Sequence, residues 1–182
     1  AAGEDTFSWS NQSTVASINL NPGSYCYFGD ISSQSDTDLK SAFSAGDGLL
    51  GIAYDCIIEN AKGGSASDTI VGNSSANKLY GGSGTGVKDT LTGNGGADTF
   101  VCTISDAATN INAADIVTDF TNGTDKIGLE DKSFSDLTIS QVTSGSFSGD
   151  TKIADTSSGK ILLLLDDTDV GLLDSSDFIT TD

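Results

Sequence analysis

From Gly63 onward the apolar residues of this chain recur in phase with glycine. Four consecutive units read GGSASDTIV (63–71), GNSSANKLY (72–80), GGSGT-GVK-DTLT (81–92) and GNGGADTFV (93–101). Each opens on Gly, carries Asp or Asn at its sixth position (Asp68, Asn77, Asp89, Asp98) and an apolar residue at its eighth (Ile70, Leu79, Leu91, Phe100). The third unit keeps this phase if Gly86, Val87 and Lys88 form a three-residue insertion. Glycine reaches backbone conformations closed to other residues, so the head of each unit predicts a tight turn. The tail, with one apolar residue between polar or β-branched neighbours, predicts a three-residue strand. A nine-residue period of this kind predicts a solenoid. Two units then complete one coil, and the fold expected is all-β, a parallel β-roll.

The flanks lose the strict period but keep strand-like pieces. At the start, Gly3, Asp5 and Phe7 match the fourth, sixth and eighth template positions, so the chain is expected to be the C-terminal piece of something longer. Residues 1–62 are expected to form irregular β coils leading into the roll, with strands at Val15–Leu20 and Ile57–Ala61. Thr37–Phe43 is expected to be a short helix capped by Asp36. Residues 102–182 are expected to close the roll as a C-terminal antiparallel β cap, because a stacked roll exposes its last coil. Within it, Asp115–Phe120 and Lys126–Leu129 read as strands, and Thr151–Asp155 with Lys160–Leu165 as a hairpin. LLDSSDFI at the end reads as one helical turn and a final apolar contact.

Stacking turns the sixth position into a chemical problem. Residues eighteen apart, or slightly more across the insertion, lie about 4.8 Å apart in neighbouring coils. Asp68 then lies beneath Asp89, and Asn77 beneath Asp98. Two bare carboxylates about 4 Å apart repel by roughly 4 kcal/mol at an effective dielectric near 20. The turn carbonyls point into the same space, and a divalent cation answers both. Several oxygens in flexible geometry suit Ca²⁺ better than Mg²⁺. The candidate ligands, through side chain or carbonyl, are Gly64, Ala66 and Asp68; Asn73, Ser75 and Asn77; Gly81, Gly82, Gly84 and Asp89; and Gly93, Asn94, Gly96 and Asp98. Ala66 and Ser75 stand where the template has glycine, which predicts strained turns. Asn77 is neutral, so the Asp68–Asp89 pair is expected to hold calcium more tightly than Asn77–Asp98. Asp115, Asp119 and Asp125 read either as strand-end and turn carboxylates or as a further calcium site at the end of the roll.

Composition agrees with several bound cations and excludes much else. Lys and Arg number 8 against 26 Asp and Glu, a net charge of −18. Such a surface repels nucleic acid and anionic lipid. The sequence contains no His and no Met, which removes imidazole-based catalytic sites and leaves paired-carboxylate hydrolysis as the formal exception. The chain is therefore read as non-catalytic. No apolar stretch is long enough for a membrane helix, so no membrane insertion is expected. No charged and apolar leader opens the chain, so either a signal was removed or export uses another address. Cys26, Cys56 and Cys102 form no CxxC motif. Pairing of Cys26 with Cys56, or buried free thiols, both remain open. Three Asn-x-Ser/Thr triplets, at Asn11, Asn73 and Asn122, are accidents of composition in a chain this rich in those residues.

INLNPGSY (18–25), IENAKGGSASDTIVGNSSANKLYGG (58–82) and GGADTFV followed by DIVTDFTNGTDKIGL resemble the C-terminal domain of serralysin-type secreted metalloproteases. The resemblance spans residues 3–130, and the last fifty match only in style. It implies a right-handed parallel β-roll with calcium between coils, and release to the outside through a type I exporter that reads an uncleaved C-terminal signal. It also implies a covalently attached N-terminal zinc protease domain, whose HExxH helix and Met-turn are not in this chain. The departures are the three Cys, the Ser33–Gly48 insert, the Gly86–Lys88 insertion, and Thr180-Thr181-Asp182 after DFI. The function expected is a calcium-binding accessory domain for folding, stability and export. The alternatives are a surface or adhesion module of a repeat protein, or the β-roll of a secreted lipase or polysaccharide enzyme.

Overall fold

The computed structural model describes residues 4–28, 48–84 and 86–181. The expected helix at Thr37–Phe43 and its cap Asp36 lie outside the described residues, as does Gly3. Each repeat tail is a strand of three or four residues, and successive strands go alternately to two sheets. One sheet is parallel throughout: β1 (Thr6–Ser8), β5 (Asn60–Lys62), β7 (Lys78–Tyr80), β9 (Thr99–Cys102), β11 (Lys126–Leu129) and β15 (Phe178–Thr180). The other has nine strands. Its parallel centre is β2 (Ala16–Asn19), β6 (Thr69–Val71), β8 (Thr90–Thr92), β10 (Ile116–Val117) and β14 (Ile161–Leu165). This is the parallel roll read from the repeats, with two units to a coil.

The register places the eighth-position residues in two rows. Ile18, Ile70, Leu91, Val117 and Leu165 are successive partners in the nine-stranded sheet. Phe7, Ala61, Leu79, Phe100, Ile127 and Phe178 are successive partners in the other. The two rows belong to one buried apolar cluster between the sheets. The insertion is absorbed in the turn before β8, so Asp68 and Asp89 are 21 residues apart yet adjacent in the stack.

Both ends of the nine-stranded sheet turn antiparallel. At the far end, β14 pairs with β13 (Thr151–Asp155) and β13 with β12 (Leu137–Gln141), forming the expected cap. All five residues of β14 are buried. Leu163 and Leu165 join the main core, while Ile161 and Leu164 join a second cluster with Ala108, Ala114 and Ile116. At the near end, β2 pairs with β3 (Tyr25–Phe28), and β3 with β4 (Gly48–Gly51). Here Phe28 stacks on Trp9 and Phe7, with ring centroids 4.4 and 5.4 Å away.

Several expectations shift in detail. The strand sought at Ile57–Ala61 runs instead over Asn60–Lys62, because pairing with β7 seats Ala61 beneath Leu79; Ile57 is exposed. Asp115–Phe120 supplies only the two-residue β10, since its flanking acids bond to turns. The terminal turn is a 3-10 turn at Ser175–Asp177, and it leads into β15, which completes the six-stranded sheet beside β11. Cys26, Cys56 and Cys102 are all free thiols.

Candidate metal centre

The turns line up in two columns along the sides of the roll. One column precedes the nine-stranded sheet and brings together Gly64, Ala66, Asp68, Gly81, Gly82, Gly84, Asp89 and Asp115. The other precedes the six-stranded sheet and holds Asn73, Ser75, Asn77, Gly93, Asn94, Gly96, Asp98, Asp119 and Asp125. Each sixth-position acid stands just before its strand and reaches to the preceding coil. Ala16 N–H donates to Asp68 Oδ1 at 2.6 Å, Asp68 N–H to Asp89 Oδ1 at 2.7 Å, and Asp89 N–H to Asp115 Oδ1 at 2.8 Å. In the second column Asn77 N–H donates to Asp98 Oδ1 at 2.8 Å, and Asp98 N–H to Asp125 Oδ1 at 3.0 Å. One oxygen of each acid thus extends the sheet ladder by one bond.

The second oxygens divide the candidates. Asp68 Oδ2 accepts from Gly64 N–H at 2.6 Å, and Asp125 Oδ2 from Thr121 N–H at 2.8 Å. Asp119 accepts from Gly93 N–H and Asn94 N–H, and Asn94, at φ 66°, donates to the Gly72 carbonyl. These side chains hold turns together. The second oxygens of Asp89, Asp98 and Asp115 receive no hydrogen bond among the described residues, and no lysine pairs with them. The one ion pair among the described residues is Lys132–Asp155, at 2.9 Å in the cap.

Asn77 owes its neutrality to its surroundings. Its Nδ2 donates to the Glu59 carbonyl at 2.8 Å, where a carboxylate would face an oxygen; its Oδ1 accepts from Asn73 N–H. Asn73 in turn donates to the carbonyls of Leu20 and Ile58. Both amides are consumed by the protein. Neither Ala66 nor Ser75 has positive φ, so the strain expected from the missing glycines does not arise.

The unanswered carboxylates are perturbed accordingly. Burial, then the adjacent Asp115 charge, pushes Asp89 up to about 8. Burial, then the Asp106 charge, pushes Asp115 up to about 7. Burial, then the Asp125 and Asp119 charges, pushes Asp98 up to about 6. Glycine makes this crowding possible: a Cβ on Gly81 would stand 2.6 Å from Asp89 Oδ2 and 3.2 Å from Asp115 Oδ2. Gly82, at φ 131°, has the Gly64 carbonyl where its side chain would be. Asp106 and Glu130 line a cleft with Asp115, Gly81 and Lys62. Neither was legible in the repeat, because both follow strands outside the nine-residue phase.

The family model described as Peptidase M10 serralysin C terminal matches residues 1–162. The chain belongs to the serralysin C-terminal family. The match extends past residue 130 into β14 of the cap. No curated protein matches the chain. Serralysin C-terminal domains are non-catalytic accessory domains of secreted metalloproteases and generally bind calcium. The donors here fit that ion: oxygen atoms only, several per turn, including carboxylate oxygens of Asp89, Asp98 and Asp115 that accept no hydrogen bond among the described residues.

These shifts carry a pH dependence. Asp89, Asp98 and Asp115 hold protons in the folded, cation-free chain at pH values where the unfolded chain has released them. Cation-free stability is therefore greatest near pH 4 and falls as the pH rises through about 6 to 8. Calcium binding at neutral pH is expected to release protons. Titration calorimetry in buffers of different ionisation enthalpy measures this; a binding heat independent of buffer contradicts it.

Proposed function

We propose that this serralysin C-terminal domain is a calcium-triggered folding and export module of an extracellular metalloprotease. The observation that carries the reading is the row of crowded carboxylates, buried Asp89 and half-buried Asp115 on one side and buried Asp98 on the other, each with one oxygen that accepts no hydrogen bond among the described residues. Asp89 and Asp115, with carbonyls of the Gly81 turn, would hold calcium in the first column. Asp98, with carbonyls of the Asn73–Ser75 and Gly93–Gly96 turns, would hold it in the second. Calcium supplies the positive charge that lets these turns close. Asp68, Asn77, Asp119 and Asp125 support the sites by fixing the turns. The tighter site in this reading is Asp89–Asp115, because Asp68 is already occupied by amides. The chain itself performs no chemistry; the catalytic zinc belongs to the protease domain to which such modules are attached.

Low calcium inside the cell would leave the columns repelling and the roll unfolded, in a form able to thread an exporter. The tail fits two successive roles. Phe178 is buried in β15 and packs on Phe134, with centroids 5.0 Å apart, so it is exposed to an exporter only before folding. Leu172 stays exposed and Leu173 half-buried.

Two experiments test the proposal. In chelator the chain is expected to lack β signal by circular dichroism and to gain it in millimolar calcium, each independent site adding about 2.7 kcal/mol at a hundredfold excess over its Kd. Identical spectra and melting curves in both conditions rule out the trigger. In a host with a type I exporter, deletion of Asp174–Asp182 is expected to keep the protein inside. Undiminished release of the truncated chain removes the tail as the address and leaves it only the role of a strand.

A further inference from the structure

We propose that Asn94 and Asn122 are sites of spontaneous deamidation that the closed fold masks, so that a chain kept without calcium ages at two defined points; this rests on the calcium-triggered folding proposed above. The two residues head the Asn-Gly pairs of the sequence, Asn94-Gly95 and Asn122-Gly123. All four residues are exposed. Glycine has no side chain to shield its nitrogen. In an open chain that nitrogen reaches the Cγ of the preceding asparagine. It bonds to Cγ, the Cγ–Nδ2 bond breaks, and the side-chain amide leaves as ammonia with the proton of the glycine N–H. Water then opens the cyclic imide. Attack at the side-chain carbonyl leaves an aspartate, and attack at the main-chain carbonyl leaves an isoaspartyl link with one more carbon in the backbone. Only water is consumed.

The folded chain ties down both reacting groups of each pair, and does so with a segment that arrives only on folding. Asn94 Nδ2 donates to the Gly72 carbonyl at 2.7 Å, and Gly95 N–H to the Asn73 carbonyl at 3.4 Å. Those carbonyls belong to the preceding turn of the same column, so closing the roll masks this pair. Asn94 is also held at φ 66° with its N–H on Asp119 Oδ2 at 2.7 Å. Asn122 Nδ2 donates to the Leu172 carbonyl at 3.0 Å, and Gly123 N–H to Asp177 Oδ1 at 3.4 Å. These partners lie in the C-terminal tail, so docking of the tail masks the second pair.

The products fit the fold badly. A carboxylate at position 94 has no proton to give the Gly72 carbonyl and stands beside Asp119, a like charge. A carboxylate at position 122 faces the Leu172 carbonyl in the same way. An isoaspartyl link lengthens the turn and displaces the following strand from its stack. Each conversion therefore opposes the closure that had masked the site, and a chain that waits too long for calcium folds less well when calcium arrives. Gly95 provides a clean variant: a Cβ there meets nothing within 4 Å, and its φ is not positive, so Gly95→Ala shields the nitrogen without straining the turn.

The test incubates the full chain at mildly alkaline pH in chelator or in calcium. Mass spectrometry of peptides spanning each pair reads the exchange of amide for acid, and circular dichroism is recorded in parallel. Both pairs are expected to convert in chelator. With calcium at about a hundredfold excess over the Kd of one site the open fraction falls about a hundredfold, and conversion of Asn94 is expected to slow by at least that factor. In the chain lacking Asp174–Asp182, Asn122 is expected to convert in calcium while Asn94 stays masked. After long incubation in chelator, Gly95→Ala is expected to recover more β signal on addition of calcium than the wild type. If the β signal responds to calcium but Asn94 converts equally in both conditions, or in neither, the proposal is overturned and the trigger stands. If the β signal ignores calcium, the trigger fails instead, and masking is judged against urea: conversion of Asn94 no faster in urea than in buffer then overturns it.

Discussion

Parallel stacking in register is the constraint from which the rest of this structure follows. A coil closes only if each sixth-position acid sits above its counterpart, because that acid accepts the amide that begins the next strand. The same geometry that supplies this bond brings like charges together at strand spacing. The protein answers some of these charges with its own amides, as at Asp68, Asp119 and Asp125. At Asp89, Asp98 and Asp115 it does not. A bond needed for folding and a repulsion opposed to folding thus reside in the same side chains, the conflict that the proposed calcium trigger would relieve.

The apolar interior does not remove this dependence. A nine-residue unit offers one fully inward side chain, such as Ile70 or Leu79, so apolar burial per ordered residue is small beside the conformational entropy lost. The two ends are built differently. Trp9, Phe7 and Phe28 close one end with stacked rings, and the cap contributes the five buried residues of β14. The roll between them has the glycine-rich turns and the stacked acids.

The roll was legible because its signal is periodic: four in-phase glycines, acids and apolar residues fix which side chains stack, and the structure pairs Ile70 with Leu91 and Leu79 with Phe100 accordingly. The cap hairpin was legible from Ser157-Ser158-Gly159 between two apolar runs. The β3–β4 extension was not, because YCYF shows no alternation of apolar and polar residues and its partner lies across a long insertion. Nor was the parallel seat of β15, which depends on a tertiary pairing with β11. For the site, the period marked Asp89 and Asp98, but it could not distinguish an acid spent on amides, such as Asp68, from one left unsatisfied. Asn77 read as a weakened ligand, whereas the carbonyl opposite it requires an amide.

The account rests on repulsion at three carboxylates, Asp89 and Asp115 against each other and Asp98 against Asp125 and Asp119, and neutralising them without changing their shape tests it most directly. Asn can accept the same stacked amide, as its oxygen is isosteric with that of Asp, and Asn77 shows that such a turn accommodates an amide group. The variant Asp89→Asn/Asp98→Asn/Asp115→Asn is to be compared with the wild type in urea denaturation followed by circular dichroism, with chelator present. The account predicts that the variant is the more stable of the two without calcium and gains less from its addition. A variant as unfolded as the wild type in chelator, or one that gains as much from calcium, contradicts it.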